Sequence, residues 1–166
     1  MTKGDPFRET EVLVSLQRLV PQATLPVARG MSFFGEHAAG WMALGLVGAV
    51  VDKRRRGGWC RLALAALISH AASVALKRVV RRPRPADERI TIGVSTPSKL
   101  SFPSSHATST TAALVSLTTL TGSRIPLVGV PLMMLSRMML GVHYPTDVAA
   151  GALLGALTAK LVQERQ

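Results

Sequence analysis

Apolar residues along this chain gather into runs of membrane-crossing length. A bilayer-spanning helix needs roughly 20 residues, with a range of about 17 to 25. Five stretches qualify: Met31 to Val51, Trp59 to Val80, Ser104 to Thr121, Ile125 to Val142 and Thr146 to Val162. Asp52 to Gly58 forms a short charged turn between the first two. Ahead of them, Phe7 to Val20 places Val12, Leu13, Leu16, Leu19 and Val20 on one helical face and Glu9, Glu11, Gln17 and Arg18 largely elsewhere, which predicts an amphipathic helix lying along a membrane interface or packed on the bundle. The long polar stretch Arg81 to Phe102 carries Pro83, Pro85, Gly93 and Pro97, so it reads as a functional loop. The expected fold is an all-α polytopic transmembrane bundle of about five spans, with residues 1–30 as interfacial helix and linker and 31–166 as the membrane domain.

Parity brings distant polar residues together. With five spans, the second helix ends on one side of the membrane, the third begins there, the fourth returns there and the fifth begins there. Lys77, Arg84, His106, His143 and Asp147 therefore share one side.

Composition narrows the function classes. The chain has 166 residues, enough for one domain. Its hydrophobic content is 48% with only 4% aromatic, so small apolar residues carry the packing, as in membrane bundles. The Gly151/Gly155 pair allows close helix contact inside the bundle or between copies in a homo-oligomer. The net charge of +11 sits at the ends of apolar runs, which fits lipid headgroups and topology signals and argues against nucleic acid as a partner. The single cysteine, Cys60, forms no intrachain disulfide. Residues 1–30 lack the pattern of a cleaved signal peptide.

The chemistry-bearing residues suit a phosphate. Lys77, Arg84 and Arg137 supply three cations, and the planar arginine fork matches phosphate oxygens in pairs. Ser104 and Ser105 open a helix whose free N–H groups attract an anion, although serine is also an ordinary helix cap. His106 lies in the next turn. His143 lies just before Pro145, with Asp147 four residues on; a turn that joins these two lets Asp147 accept one imidazole N–H and leaves the other nitrogen free to attack phosphorus. His70, His37 and Glu36 stay without an assigned role. Arg82-Pro83 is a second Arg-Pro pair, at the wrong distance from Lys77.

Three spacings occur in order: Lys77-x6-Arg84-Pro85, Pro103-Ser104-Ser105-His106, and Ser136-Arg137-x5-His143-x3-Asp147. They resemble the type 2 phosphatidic acid phosphatase family, which shares its active site with the vanadium haloperoxidases. The resemblance implies a phosphohistidine mechanism without metal or cofactor. His143 would be the nucleophile, Asp147 its orienting partner and His106 the general acid. Lys77, Arg84, Ser104, Ser105 and Arg137 would hold the phosphoryl oxygens. Ser105 stands where the family pattern most often has glycine, which questions the local backbone.

The function expected from these features is that of an integral-membrane lipid phosphatase of the bacterial plasma membrane, its site at the membrane interface on the extracytoplasmic side. A polyprenyl-linked phosphate is the first choice, because the compact form resembles small actinobacterial members associated with decaprenylphosphoryl-5-phosphoribose dephosphorylation in cell-wall arabinan synthesis. Undecaprenyl diphosphate, phosphatidylglycerophosphate and phosphatidic acid are alternative substrates. A silent membrane scaffold or transporter and a vanadate-dependent peroxidase are alternatives of another class.

Overall fold

The computed structural model describes residues 8–164; Phe7, the expected start of the interfacial helix, lies outside them. The described chain is helical, with one isolated antiparallel bridge between Pro83 and Leu100. Its seven α-helices are, in order, α1 Glu9–Leu19, α2 Leu25–Gly35, α3 Ala39–Val51, α4 Arg56–Val80, α5 Ser105–Thr121, α6 Gly129–Met139 and α7 Pro145–Glu164.

α5 runs through the centre, packed against α4, α6 and α7. It is rich in Ser and Thr, yet every residue from Ser105 to Leu114 is buried. Several of its hydroxyls return to their own helix, although Thr111 Oγ1 has no partner among the described residues: Thr108 Oγ1 donates to the Ser104 carbonyl at 2.8 Å, Ser109 Oγ to Ser105 at 3.0 Å and Ser116 Oγ to Ala112 at 2.9 Å. A polar helix is thus buried with these donors satisfied. The two small residues on α7 set its distance from α5: a Cβ at Gly151 would lie 2.7 Å from the Ser104 carbonyl oxygen, and one at Gly155 would press on that of Thr108. The Gly151/Gly155 pair is therefore used within the bundle.

The polarity of this bundle is inverted relative to a water-soluble one. Ser69, Ser73, Thr108, Ser109, Thr110 and Ser116 are buried, while Phe33, Val47, Val50, Val51, Leu153, Leu157 and Leu161 are exposed. Among the described residues, two helical stretches are long and apolar enough to cross a membrane, 22–51 and 53–80.

Two expected segments are more broken than their apolar runs suggest. The Met31–Val51 run is interrupted at Glu36–Ala38, where His37 and Ala38 take left-handed backbone with φ of 50° and 61°. The Ile125–Val142 run begins as a 3-10 turn over Ile125–Val128, and its helix stops at Met139. α1 also faces differently from its hydrophobic pattern. Glu9, Leu13 and Val14 are buried, whereas Val12 and Leu19 are exposed. Leu13 and Val14 pack with Ile90, Met138 and Tyr144, so the helix docks on α6 and the long loop.

Candidate active site

The long loop is pinned at its base. Ser101 N–H donates to the Arg82 carbonyl at 2.8 Å and Arg84 N–H to that of Lys99 at 3.3 Å, so residues 82–84 run beside 99–101. Lys77, in the last turn of α4, donates to the carbonyls of Pro103 at 2.6 Å, Ser101 at 3.1 Å and Leu100 at 3.5 Å. One ammonium therefore fixes the segment that leads into α5. At the other edge, Gly141 has φ of 69°, and a Cβ there would meet the Thr91 carbonyl oxygen at 2.6 Å. Glycine lets the chain turn from α6 toward His143 against this loop.

These elements enclose a cavity of about 250 Å³ lined by Lys77, Arg84, Ser105, His106, Arg137 and His143. Every cation and both histidines expected from the three spacings meet there. Ser104 and Asp147 are fully buried and lie outside the lining. Ser104 is an N-cap, its Oγ accepting the Ala107 N–H at 3.4 Å, so its side chain takes the ordinary capping role. Ser105 is the first residue of α5, with no positive φ, and its Oγ pairs with Ser73 Oγ at 2.7 Å; serine fits where glycine is the common choice.

Hydrogen-bond partners assign the imidazole nitrogens. Arg84 Nη1 lies 3.2 Å from His143 Nε2, and because a guanidinium only donates, Nε2 presents a lone pair. His143 Nδ1 then carries hydrogen and lies 3.6 Å from Asp147 Oδ2, longer than a hydrogen bond. Catalytic contacts of this kind commonly tighten only when substrate is bound. Burial first, and then the charges of Arg84, Arg137 and Lys77, hold His143 well below the ordinary histidine value of 6.5, so it is neutral. His106 Nε2 lies 2.9 Å from the Ser32 carbonyl, which can only accept, and Nδ1 is left for proton transfer.

Asp147 is held by groups that the three spacings do not contain. Its Oδ1 accepts from Arg82 Nη1 at 2.8 Å and its Oδ2 from the Tyr144 N–H at 2.8 Å. Arg82, the arginine of the mis-spaced Arg-Pro pair, also reaches Thr146 Oγ1 at 2.7 Å and Glu9 Oε2 at 2.5 Å, and its guanidinium lies 4.1 Å from the Tyr144 ring centroid. Burial opposes its charge, and Glu9 and Asp147 outweigh that, raising its pKa. From α2, Ser32 Oγ accepts from Arg137 Nη1 at 2.5 Å, while Arg137 Nε has no partner among the described residues. Glu9 and Ser32 carry no sequence signal, since their role depends on how α1 and α2 fold back. Glu36, His37 and His70 line the same cavity.

An array of this kind can grip a phosphate with two arginines, beside the charge of a lysine tied to the backbone, while the neutral His143 imidazole attacks and His106 moves a proton. The PAP2 superfamily profile matches residues 58–164. A Mycobacterium tuberculosis protein named decaprenylphosphoryl-5-phosphoribose phosphatase is 48% identical over 164 residues, covering 98% of this chain and 93% of that protein. One of the same name from Mycolicibacterium smegmatis is 51% identical over 148 residues, 88% of this chain and 82% of that one. Among solved structures, Aquifex aeolicus LpxE superposes with a TM-score of 0.81 at 20% identity, covering 99% of each chain. A PAP2 type phosphatidylglycerolphosphate phosphatase from Bacillus subtilis gives 0.76 at 21% identity, covering 95% of this chain and 86% of that one.

Proposed function

Because this chain belongs to the PAP2 superfamily, we propose that it is an integral-membrane lipid phosphatase that removes the terminal phosphate of a polyprenyl-linked phosphosugar, decaprenylphosphoryl-5-phosphoribose. The observation that carries this reading is the convergence of Lys77, Arg84, Arg137, His106 and His143 on one cavity at the end of an apolar-surfaced bundle. The relatives' shared name, at 48% and 51% identity, supports the choice of lipid.

In the proposed reaction, Arg84 and Arg137 take the phosphoryl oxygens and Lys77 adds its charge to the same pocket. As Arg84 turns its Nη1 from His143 Nε2 to the phosphate, that nitrogen attacks phosphorus while the ester P–O bond breaks, and the leaving oxygen takes the Nδ1 proton of His106, which enters the step as imidazolium with its Nε2–H on the Ser32 carbonyl. The hydrogen on His143 Nδ1 is drawn to Asp147, which steadies the positive charge that grows on the ring. Water then attacks the phosphohistidine, His106 takes its proton, the P–N bond breaks and inorganic phosphate leaves. The three cations stabilise the charge of both transition states in a site largely closed to water.

Five spans fit the helices in this picture. α5, α6 with its 3-10 turn, and α7 complete the bundle around α3 and α4; 17 residues in α5 give a rise of roughly 26 Å. α5 need not be apolar because its neighbours, not lipid, surround it. α1 would lie at the interface beside the long loop. The extracytoplasmic side is the active-site face in this reading, as the family resemblance implies; Lys53–Arg56 at the opposite end agrees with a cytoplasmic turn, while the remaining basic residues divide nearly evenly between the two sides.

The test is direct trapping. Substrate labelled in its terminal phosphate, quenched in denaturant during turnover, should leave an acid-labile, base-stable label on the wild-type chain and none on His143→Ala. Label retained on that variant would remove His143 as nucleophile.

A further inference from the structure

Resting on that reading of the site, we propose that Glu9, acting through Arg82, sets the position and charge of Asp147 and thereby the basicity of His143, so that α1 is a working part of the active site. Glu9 lies outside the matched residues 58–164 and 137 positions before Thr146. Its side chain is nevertheless only 2% exposed. One carboxylate oxygen accepts both the N–H and the hydroxyl of Thr146 at 2.8 Å, which fixes the first turn of α7 where Asp147 sits. The other accepts from Arg82 Nη2, while Arg82 Nη1 donates to Asp147 Oδ1. The result is a chain of alternating charge, Glu9, Arg82, Asp147, ending at His143.

A surface helix has no need of a buried carboxylate, and an unpaired buried charge is costly, so the placement is specific to this partner. Asp147 works by drawing the Nδ1 hydrogen of His143. Arg82 draws on the same carboxylate from the other side, and Glu9 offsets that draw. Removing Arg82 leaves Asp147 freer to act on His143, which becomes more basic; removing the Glu9 charge does the opposite. The other charged or titratable groups around His143 are Arg84 from the loop, Lys77 from α4, Arg137 from α6 and His106 from α5, with Glu36, His37 and His70 on the wall of the same cavity. All seven are retained in every variant compared, so their contribution is common to the set.

The experiment measures kcat and KM against pH for phosphate release from a short-chain prenylphosphoryl-5-phosphoribose in detergent with EDTA, for wild type, Glu9→Gln, Arg82→Gln and Arg82→Lys. A unit charge one or two hydrogen bonds removed moves a buried group by on the order of one pH unit. The acidic limb of kcat should move down by about that much in E9Q and up in R82Q. R82K keeps the charge but not the fork, so its limb should stay in place while kcat falls about tenfold at unchanged KM. A helix with a purely structural role would lower the amount of folded protein without moving either limb. Unmoved limbs, or limbs moving the same way, overturn the proposal. Should E9Q and R82Q not fold, R82K decides alone, and wild-type kcat in that variant overturns it. An inactive wild type would instead refute the phosphatase reading itself.

Discussion

Gly35 closes α2 against the His106 ring, and replacing it with alanine should damage proton transfer while leaving the fold in place. Its backbone, at φ −79° and ψ −4°, suits any residue, so Gly35→Ala brings no conformational strain. The cost is steric. An added Cβ would lie 2.8 Å from His106 Cδ2, against ordinary carbon contacts of about 3.5–4.0 Å, an overlap of roughly 1 Å. Overpacking of this size costs about 1–3 kcal/mol, and the gain in helix propensity returns up to about 1 kcal/mol. Net destabilisation of at most about 3 kcal/mol lowers Tm by no more than roughly 12 °C. The ring cannot yield freely, because its Nε2 is tied to the Ser32 carbonyl at 2.9 Å. Shifting a catalytic group by about 1 Å costs on the order of 100-fold in rate. The assay compares two substrates. An alkyl phosphate needs His106 to protonate its leaving oxygen, whereas a p-nitrophenyl phosphate leaves as a stable anion. G35A should cut kcat for the alkyl ester by about 100-fold and for the aryl ester by far less. Equal losses on both, or none on either, would refute the assignment of His106 as general acid and of Gly35 as its packing floor.

Two further outcomes are expected. His143, in the turn between α6 and α7, is held below 6.5 by burial and then by Arg84, Arg137 and Lys77. Below that pH the unfolded chain binds a proton that the folded chain refuses, so stability is lost as pH falls from 6.5, by up to about 1.4 kcal/mol per unit. Thermal melts at pH 7.5 and 5.0 should differ by less in His143→Asn than in wild type; an equal difference would contradict a buried neutral imidazole. Cys60 is exposed, one turn into α4 beyond the Lys53–Arg56 cluster, and is the sole thiol of the sequence. In intact cells a membrane-impermeant maleimide should label it only after permeabilisation. Labelling of unbroken cells would invert the proposed topology.

The chemistry is easier to read from sequence than the framework that aims it. Lys77, Arg84, His106 and His143 stand at or just beyond the ends of the expected spans, where alternate crossing would bring them to one side, and together with Arg137 they line one cavity. Spacing cannot separate Lys77 as a ligand from Lys77 as the ammonium that ties down residues 100–103. Nor can it place Ser104, whose hydroxyl is consumed as a cap. Arg82 escapes a reading by distance from Lys77, yet its fork reaches Thr146, Asp147 and Glu9 at once. Glu9 falls on the polar face of α1, since a helical wheel ranks side chains by polarity and cannot show that a half-buried arginine will receive one. The break at Glu36–Ala38 is hidden for a related reason. Neither His37 nor Ala38 favours left-handed backbone, so only the packing of α2 and α3 reveals it.

The central claim is tested by phosphate release from purified protein in detergent with EDTA present, wild type beside His143→Ala, across decaprenylphosphoryl-5-phosphoribose, undecaprenyl diphosphate, phosphatidylglycerophosphate and phosphatidic acid. Metal-independent release that is fastest on the polyprenyl phosphosugar and absent in H143A is the expected result. Equal release by H143A, dependence on added metal, or no release from any of the four lipids would contradict it.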